Sequence, residues 1–470
     1  SVWSLLASRL RIGSRWSYVV HCGSGERTRG VRYTVCTRQF QRSVWSFSGF
    51  VSDWTKMEAM DVDDGRDAAA AVKAEDAAGL PQEDAVEAGD SEKGLEFVLS
   101  NLHLRKIIKE NHGQPLESLA FNRAKPNENM LATVGGGMVS IYDNNHCGGH
   151  LDLSCYFNNS PTVYSEGGLA TDVEWLFTKD LFDNEALLAF GCKSGEIGIL
   201  SVCETRVVGL LKGHTGEILN LRAHPTLPGH LVTSSSDGTI RLWNALSTLD
   251  CSKGNQNATC VAIWKPPHTA QAIAISPDGT RIAFGCGNGS VTTFALDLEK
   301  ASSASKEAET EEVDVEWNQV APAPRKGCRI DCLEFAEENR LVVHDASGRL
   351  NVWSLETLSV VCSMLVPKGD VGKRGVRGLS SKSQTRFGIS SCGQYLCCGN
   401  PAGEVFIFEL TSGKRISKLS MPRIKGFVTA AAFSHDSKSV ALCTDDSLLW
   451  RWDHAIMEPA PSQSEDEDSS

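Results

Sequence analysis

Residues 213–244 read GHTGEILNLRAHPTLPGHLVTSSSDGTIRLWN, the most regular stretch of the 470-residue chain. Apolar and polar residues alternate in three short runs, which are separated by His224-Pro225 and by Asp237-Gly238. Alternation with a period of two is typical of strands that bury one face, and Asp-Gly favours a tight hairpin turn. The stretch therefore predicts three consecutive antiparallel strands.

One buried hydrogen-bond chain is expected within this stretch, formed by His214, Ser235, Asp237 and Trp243. A strand hydroxyl between an imidazole, a carboxylate and an indole would fix the loop that carries the histidine to the sheet. The order of these residues resembles a blade of a WD-repeat propeller. His214 and Asp237 could also be interpreted as a catalytic dyad, but their positions in the repeat favour a structural role.

The pattern recurs every 43 to 59 residues, and each unit has an apolar residue at the place of Trp243. These third-strand residues are Tyr142, Leu200, Trp243, Phe294, Trp353, Phe408 and Trp452. Only the last unit repeats the aspartate, so Asp446 and Trp452 are expected to repeat the network of Asp237 and Trp243. Seven units predict an all-β fold, a seven-bladed WD-repeat β-propeller over residues 96–455 whose first and last strands share one blade. Two α/β domains are the alternative, but residues 112–455 show no recurring helical periodicity.

The segments outside the repeats differ from the repeats in their charge. Residues 57–92 hold twelve acids and two bases and few large apolar side chains, which predicts an acidic disordered arm over 57–95. Residues 456–470 predict a second acidic disordered arm, with serines that could be phosphorylated. Residues 301–316 predict an acidic, solvated loop inserted in the propeller, and a dock for basic histone tails is the alternative.

Residues 1–56 carry nine Lys/Arg and two acids, and the first methionine is Met57. Two interpretations stay open. An Arg- and Ser-rich stretch with few acids is typical of a mitochondrial transit peptide. Alternatively, the segment is upstream sequence that is not native to a protein beginning at Met57, and this is the preferred interpretation. The segment is left out of the fold argument.

Composition narrows the function classes. A net charge of −12 argues against a general nucleic-acid binder, and no apolar run approaches the roughly 18 residues of a membrane span. The sixteen cysteines are scattered through strand-like runs, which favours reduced, buried thiols. The pairs Cys328/Cys332 and Cys397/Cys398 lack the spacing of a zinc site. Since P-loop, HExxH and nucleophile-elbow motifs are also missing, we expect no catalytic residue, no metal and no cofactor.

Several segments resemble the WD-repeat proteins of the embryonic ectoderm development / fertilization-independent endosperm family, the scaffold subunits of Polycomb repressive complex 2. The matching segments are NHGQPLESLAFN (111–122), LATVGGGMVSIYD (131–143), the blade at 213–244, Ile330-Asp331-Cys332, LCCGNPAGEVFIFEL (396–410) and FSHDSKSVALCTDDSLLWRWD (433–453). The last one is the most specific, because it follows the family's closing pattern. The resemblance covers about residues 97–455.

This resemblance implies a nuclear, non-catalytic scaffold of a Polycomb-type histone lysine methyltransferase complex, which supports repressive histone methylation and gene silencing. In the family, one propeller face binds a helix of the SET-domain methyltransferase. The other face holds a trimethylated histone lysine in an aromatic cage, by cation–π attraction. The implied partners are the SET-domain subunit, other Polycomb subunits and a histone tail peptide, with no direct nucleic-acid contact and no membrane.

The cage itself does not carry over. The family's cage positions fall at Glu117, at Thr171 and near Arg386 and Phe387, so one aromatic residue is left in register. Tyr164 could replace one wall of the cage, although a rim or packing role is preferred for Tyr164 and Phe387. Methyl-lysine reading is therefore in doubt, and scaffolding is the safer inheritance. A different WD-repeat adaptor, associated with chromatin or with ubiquitin ligases, is the alternative function.

Overall fold

The computed structural model divides the chain into two compact units, Ser1–Leu80 and Pro81–Ser470. It describes residues 87–454 except 111–112, 126, 145–150, 159–167, 179–184, 249–259, 298–311, 322–327, 370–383 and 422–425, with side chains from residue 94 onward. In the first unit it describes three strands, β1 (Leu5–Ile12), β2 (Arg15–Cys22) and β3 (Thr34–Cys36), which form one antiparallel sheet. These strands lie in the basic segment of residues 1–56.

The second unit begins with α1 (Glu87–Ser100) and β4 (Leu102–Lys109) and continues into seven four-stranded antiparallel sheets, the blades. Blade 1 consists of β5 (Leu116–Phe121), β6 (Met130–Gly135), β7 (Met138–Asp143) and β8 (Asp152–Asn158). Blade 2 consists of β9 (Ala170–Trp175), β10 (Leu187–Cys192), β11 (Ile197–Ser201) and β12 (Arg206–Leu211). Blade 3 consists of β13 (Ile218–Ala223), β14 (His230–Ser235), β15 (Ile240–Asn244) and β16 (Cys260–Trp264), with a 3-10 helix at Ala245–Thr248.

The remaining blades follow the same order. Blade 4 consists of β17 (Ala270–Ile275), β18 (Arg281–Cys286), β19 (Val291–Ala295) and β20 (Asn318–Ala321). Blade 5 consists of β21 (Ile330–Glu337), β22 (Arg340–Asp345), β23 (Arg349–Ser354) and β24 (Ser359–Leu365). Blade 6 consists of β25 (Gly388–Ile389), β26 (Tyr395–Gly399), β27 (Val405–Glu409) and β28 (Arg415–Leu419). Blade 7 consists of β29 (Val428–Phe433), β30 (Ser439–Thr444), β31 (Leu448–His454) and β4.

The ring closes through β4, as the sequence predicted. This strand pairs with β31 from Lys109 opposite Leu448 to Leu102 opposite His454. The last blade thus takes its outer strand from the beginning of the propeller, while β29 lies beside β5 of blade 1. Closure of this kind removes the two free sheet edges that an open array of blades would expose. The prediction of a seven-bladed WD-repeat propeller is confirmed.

The seven third-strand residues predicted from the repeat all lie in the third strands of their blades. Each pairs with an apolar residue of the second strand, as Trp243 does with Leu231 and Phe408 with Leu396. The buried side chains form seven clusters, each spanning the interface between two neighbouring blades. The core is therefore a ring of similar interfaces, and this explains why blades without the aspartate still pack.

Helix α1 differs from the sequence expectation, because residues 87–95 fall in the predicted disordered arm. Leu95, Val98 and Leu99 recur at helical spacing and pack against blades 6 and 7. Lys414 Nζ also lies 2.8 Å from Glu96 Oε1. The acidic composition of the segment predicted disorder, but the apolar side chains of Leu95, Val98 and Leu99 bind the helix to the ring. Residues 57–86 and 455–470 lie outside the described residues.

Two faces of the ring are distinguished by the direction of the first strands. These strands line the central channel; each begins on what we call the upper face and ends on the lower face. In β9, Thr171 lies towards the upper face and Trp175 towards the lower face.

Among the described residues, no helix combines the length and apolar character needed to cross a bilayer.

Candidate functional site

An ion pair crosses the central channel and joins four blades. Asp172, on β9, is fully buried and contacts Arg386 Nη1. Its carboxylate also accepts hydrogen bonds from Ser118 Oγ at 2.8 Å, from Asn220 Nδ2 at 2.7 Å and from the Leu221 amide at 2.8 Å. Since these donors come from blades 1 and 3, the carboxylate links the first three blades to blade 6.

Arg386 reaches the channel from the residues that precede β25. Its backbone is held by Thr429 and Ala431 of blade 7, at N–O distances of 2.9 and 3.1 Å. Its guanidinium donates to Ser118 Oγ at 3.0 Å and to the Leu219 carbonyl at 3.3 Å. Burial lowers the pKa of Arg386 to about 10, so it keeps its charge at neutral pH. The side chain therefore acts as a strut between opposite sides of the ring.

Below this strut lies a cavity of about 490 Å³ that opens towards the lower face. Its charged lining consists of Arg123, Arg222 and Arg386 and of Glu174 and Glu334. Arg222 Nη1 lies 3.7 Å from Glu174 Oε2, and burial raises the pKa of both glutamates. Among the residues that the structure describes, no cluster of His, Cys, Asp and Glu could hold a metal ion. The lining offers paired charges and apolar walls.

The residues expected on a peptide-binding face are not assembled into one site. Glu117 is exposed near the upper end of β5, whereas Thr171 donates its hydroxyl to the Ile218 carbonyl at 2.7 Å. Arg386 is committed to Asp172. Phe387 is 4% exposed in the cluster between blades 5 and 6, which agrees with the packing role preferred for it. Tyr164 lies outside the described residues.

The predicted network of blade 3 is present with a different hydroxyl. His214 Nδ1 lies 2.8 Å from Asp237 Oδ2, and His214 Nε2 lies 2.8 Å from Thr233 Oγ1. Trp243 Nε1 donates to the same hydroxyl at 2.9 Å. Thr233 takes the place expected for Ser235 because Trp243 pairs with Leu231, so Thr233 is its diagonal neighbour and Ser235 lies one further step away.

The protonation of this network follows from its geometry. Burial lowers the pKa of His214, so the ring is neutral at pH 7. Burial alone would raise the pKa of Asp237, but hydrogen bonds from His214 and Thr239 hold it well below its usual value. A neutral ring with its proton on Nδ1 donates to Asp237 and accepts from Thr233, so every donor in the chain has an acceptor.

Blade 7 does not repeat this arrangement. Thr444 donates its hydroxyl to Asp446, but Trp452 Nε1 has no hydrogen-bond partner among the described residues. Trp452 pairs with Val440, so the residue in the place of Thr233 is Leu442, which has no hydroxyl. The expectation for Trp452 is therefore corrected, and this indole contributes to blade 7 through packing.

Asp172 was missed by the sequence analysis. The pattern that could have identified it is a single aspartate inside ATDVEW (170–175), a first strand in which four of six residues are buried. A charged residue at a buried strand position requires a partner of opposite charge. The partner, Arg386, is 214 residues away along the chain, so local periodicity gives no indication of it.

Comparison with known proteins agrees with the fold and indicates the relatives. The model of the WD domain, G-beta repeat, matches residues 205–244. Polycomb protein esc of Drosophila melanogaster is 24% identical over 368 residues, which cover 73% of this chain and 82% of the relative. Polycomb group protein FIE1 of Zea mays is 24% identical over 313 residues, which cover 61% of this chain and 62% of the relative. A FIE1 protein of Oryza sativa subsp. japonica is 20% identical over 358 residues, 72% of this chain and 88% of the relative.

Proposed function

We infer that this chain, a WD-repeat protein of the family of the Polycomb proteins esc and FIE, is a non-catalytic scaffold of a Polycomb-type histone lysine methyltransferase complex. It acts in the nucleus, binds the SET-domain subunit and supports repressive histone methylation. The observation that carries this proposal is the similarity to Polycomb proteins over most of the chain. The alignment with the Drosophila melanogaster relative covers 73% of the chain.

The chemistry of the described side chains supports a scaffold. The His214 side chain is fully buried and engaged with Asp237 and Thr233, so this pair is part of the sheet. In the channel, Asp172 is neutralised by Arg386. Burial raises the pKa of Cys397 to about 12, and a neutral thiol is a poor nucleophile. These groups stabilise a rigid ring, which suits a protein that positions other subunits.

Co-purification of the tagged full-length chain from nuclei tests the scaffold. We expect a SET-domain methyltransferase to be recovered in stoichiometric amount, together with other Polycomb subunits. Recovery of a cullin adaptor or of replication-origin subunits in its place would contradict the proposal and favour the other class of WD-repeat adaptor. A second WD-repeat propeller, tagged and purified in the same way, is the control for non-specific binding.

We propose that the upper face does not select trimethylated lysine. A cage for a quaternary ammonium needs two or more aromatic planes within about 6 Å of the cation, and the corresponding positions here hold Glu117, Thr171 and the buried Phe387. The exposed carboxylate of Glu117 favours unmodified lysine, which can still donate hydrogen bonds. A titration of matched unmodified and trimethylated histone peptides should show no preference for the trimethylated form.

The matched control for this titration is Glu117→Gln, which keeps the size of the side chain and removes its charge. This variant should weaken the binding of unmodified lysine peptides more than that of the trimethylated ones, because only unmodified lysine also loses a hydrogen-bond acceptor for its N–H groups. A tenfold preference of the original protein for trimethyl-lysine, about 1.4 kcal/mol, would contradict the proposal.

A further inference from the structure

The outer strands of the blades form the rim of the propeller, and the edges of three of them are protected as follows. Helix α1 packs on β28. On β16, Ile263 forms a bridge with Glu312, and the Val313 amide donates to the Ile263 carbonyl at 2.8 Å. On β4, three of eight residues are basic. Covering elements and charges are the usual protection of a sheet edge against pairing with another chain.

The outer strand of blade 5 has neither kind of protection among the described residues. Strand β24 reads SVVCSML and contains no charged residue and no proline. Along this edge the exposed fractions are 56% for Leu358, 42% for Val360, 55% for Val361 and 62% for Leu365. Val361 has no partner in β23, because the register shifts at Trp353 and makes it the extra residue of a bulge. The result is an apolar strip that faces solvent, which we call the blade-5 edge.

The two ends of the blade-5 edge carry opposite charges. At the lower face, the exposed acids Glu337, Glu338 and Glu356 lie next to the beginning of β24. At the upper face, the exposed bases Arg349 and Lys368 lie next to its end. Arg340 also lies at the lower end, where it is paired with Glu337 at 3.5 Å. The edge is thus apolar in the middle, acidic at one end and basic at the other.

A surface with this arrangement is complementary to itself. When two copies lie antiparallel across a two-fold axis at Cys362, Ser359 of one copy falls opposite Leu365 of the other. Glu356 then falls opposite Lys368 of the second copy, so that each acidic end meets a basic end. A two-fold interface requires this kind of self-complementarity, and opposite charges at its two ends set the antiparallel orientation.

A groove of about 710 Å³ opens at the lower end of the edge. Its apolar lining consists of Pro277, Ala336 and Val361, and the rest of its lining is polar or charged. In the antiparallel pair, Leu365 of the second copy reaches the mouth of this groove. Its exposed apolar surface would then lie against Val361 and Pro277.

We propose that the blade-5 edge is an interface between two copies of this chain, which associate antiparallel through β24. The contact consists of apolar side chains across the axis and of the Glu356–Lys368 pair at each end. It lies on the outer rim of the ring, away from the ion pair of Asp172 and Arg386 in the central channel. It does not depend on the function proposed above.

Sedimentation equilibrium of the full-length chain, at concentrations up to about 100 μM, tests this interface, because this range detects dissociation constants on the order of micromolar. We expect a monomer–dimer equilibrium whose dissociation constant rises at least tenfold in Val361→Lys. The matched control is Tyr156→Lys on the exposed edge of blade 1, where Tyr156 is 63% exposed. This variant should dimerise as the original protein does.

Charge exchange gives a second measurement that does not depend on the apolar strip. Glu356→Lys and Lys368→Glu should each weaken dimerisation, and the double variant should restore it, because the pair is re-formed with reversed sign. A chain that stays monomeric over this range overturns the proposal, as does a dimer that is insensitive to both kinds of variant. Thermal melts show whether each variant is folded. If Val361→Lys is unfolded, the charge-exchange variants alone test whether the blade-5 edge forms the dimer.

Discussion

Replacement of Asp172 by alanine is expected to lower the free energy of unfolding by about 3–5 kcal/mol. The change leaves the Arg386 guanidinium buried without its counter-charge and removes the acceptor of Ser118, Asn220 and the Leu221 amide. An unpaired buried charge costs far more than the loss of an exposed ion pair. Urea unfolding followed by tryptophan fluorescence measures the effect.

Two further variants separate the ion pair from a general effect of the substitution. Asp278→Ala makes the same change at an exposed turn, where the carboxylate binds Ser276 and Thr280, and should cost less than about 1 kcal/mol. Asp172→Ala combined with Arg386→Met removes both charges and should be more stable than Asp172→Ala alone. Equal stabilities of Asp172→Ala and Asp278→Ala would show that the ion pair does not hold the blades together.

The repeat predicted the fold because each blade is a local structure. The alternation and the turn between Leu231 and Trp243 are specified by residues close in sequence, and the same holds at Leu396 and Phe408. The closing strand β4 could be predicted as well, since a ring of seven blades leaves one outer strand to be supplied by the other end of the repeat array. Helix α1 could not be predicted from composition, which averages its few apolar residues with the surrounding acids.

The channel depends on contacts between distant parts of the chain. Arg386 was placed on the upper face by its alignment position, but its guanidinium reaches Asp172 across the ring because blade 6 lies opposite blades 2 and 3. The choice between Thr233 and Ser235 also required the strand register, since both side chains lie on the same side of β14. Sequence patterns indicate which face a residue occupies, and the register decides which neighbour it meets.

A second buried group gives the propeller a measurable dependence on pH. His344, on β22, is buried within blade 5, and burial lowers its pKa to about 4, while the negative charge of Asp345 opposes this shift only in part. In the unfolded chain a histidine titrates near 6.5. As the pH falls below 6.5, the unfolded state takes up a proton that the folded state excludes until about pH 4, so stability falls over this range.

Because of this histidine, the free energy of unfolding should fall by about 2 kcal/mol between pH 7.5 and pH 5.0. Each pH unit between the two pKa values contributes about 1.4 kcal/mol. Other groups titrate in the same range: burial raises the pKa of the neighbouring Asp331 to about 6, which stabilises the folded state as the pH falls. The difference between the original protein and His344→Leu isolates the histidine from these groups. Urea unfolding at both pH values should show that the free energy of unfolding of the original protein falls by about 2 kcal/mol more than that of His344→Leu. In Asp331→Asn, which keeps His344, the fall should be larger than in the original protein. If the two proteins lose the same amount, His344 is protonated in the folded state and its pKa is not lowered.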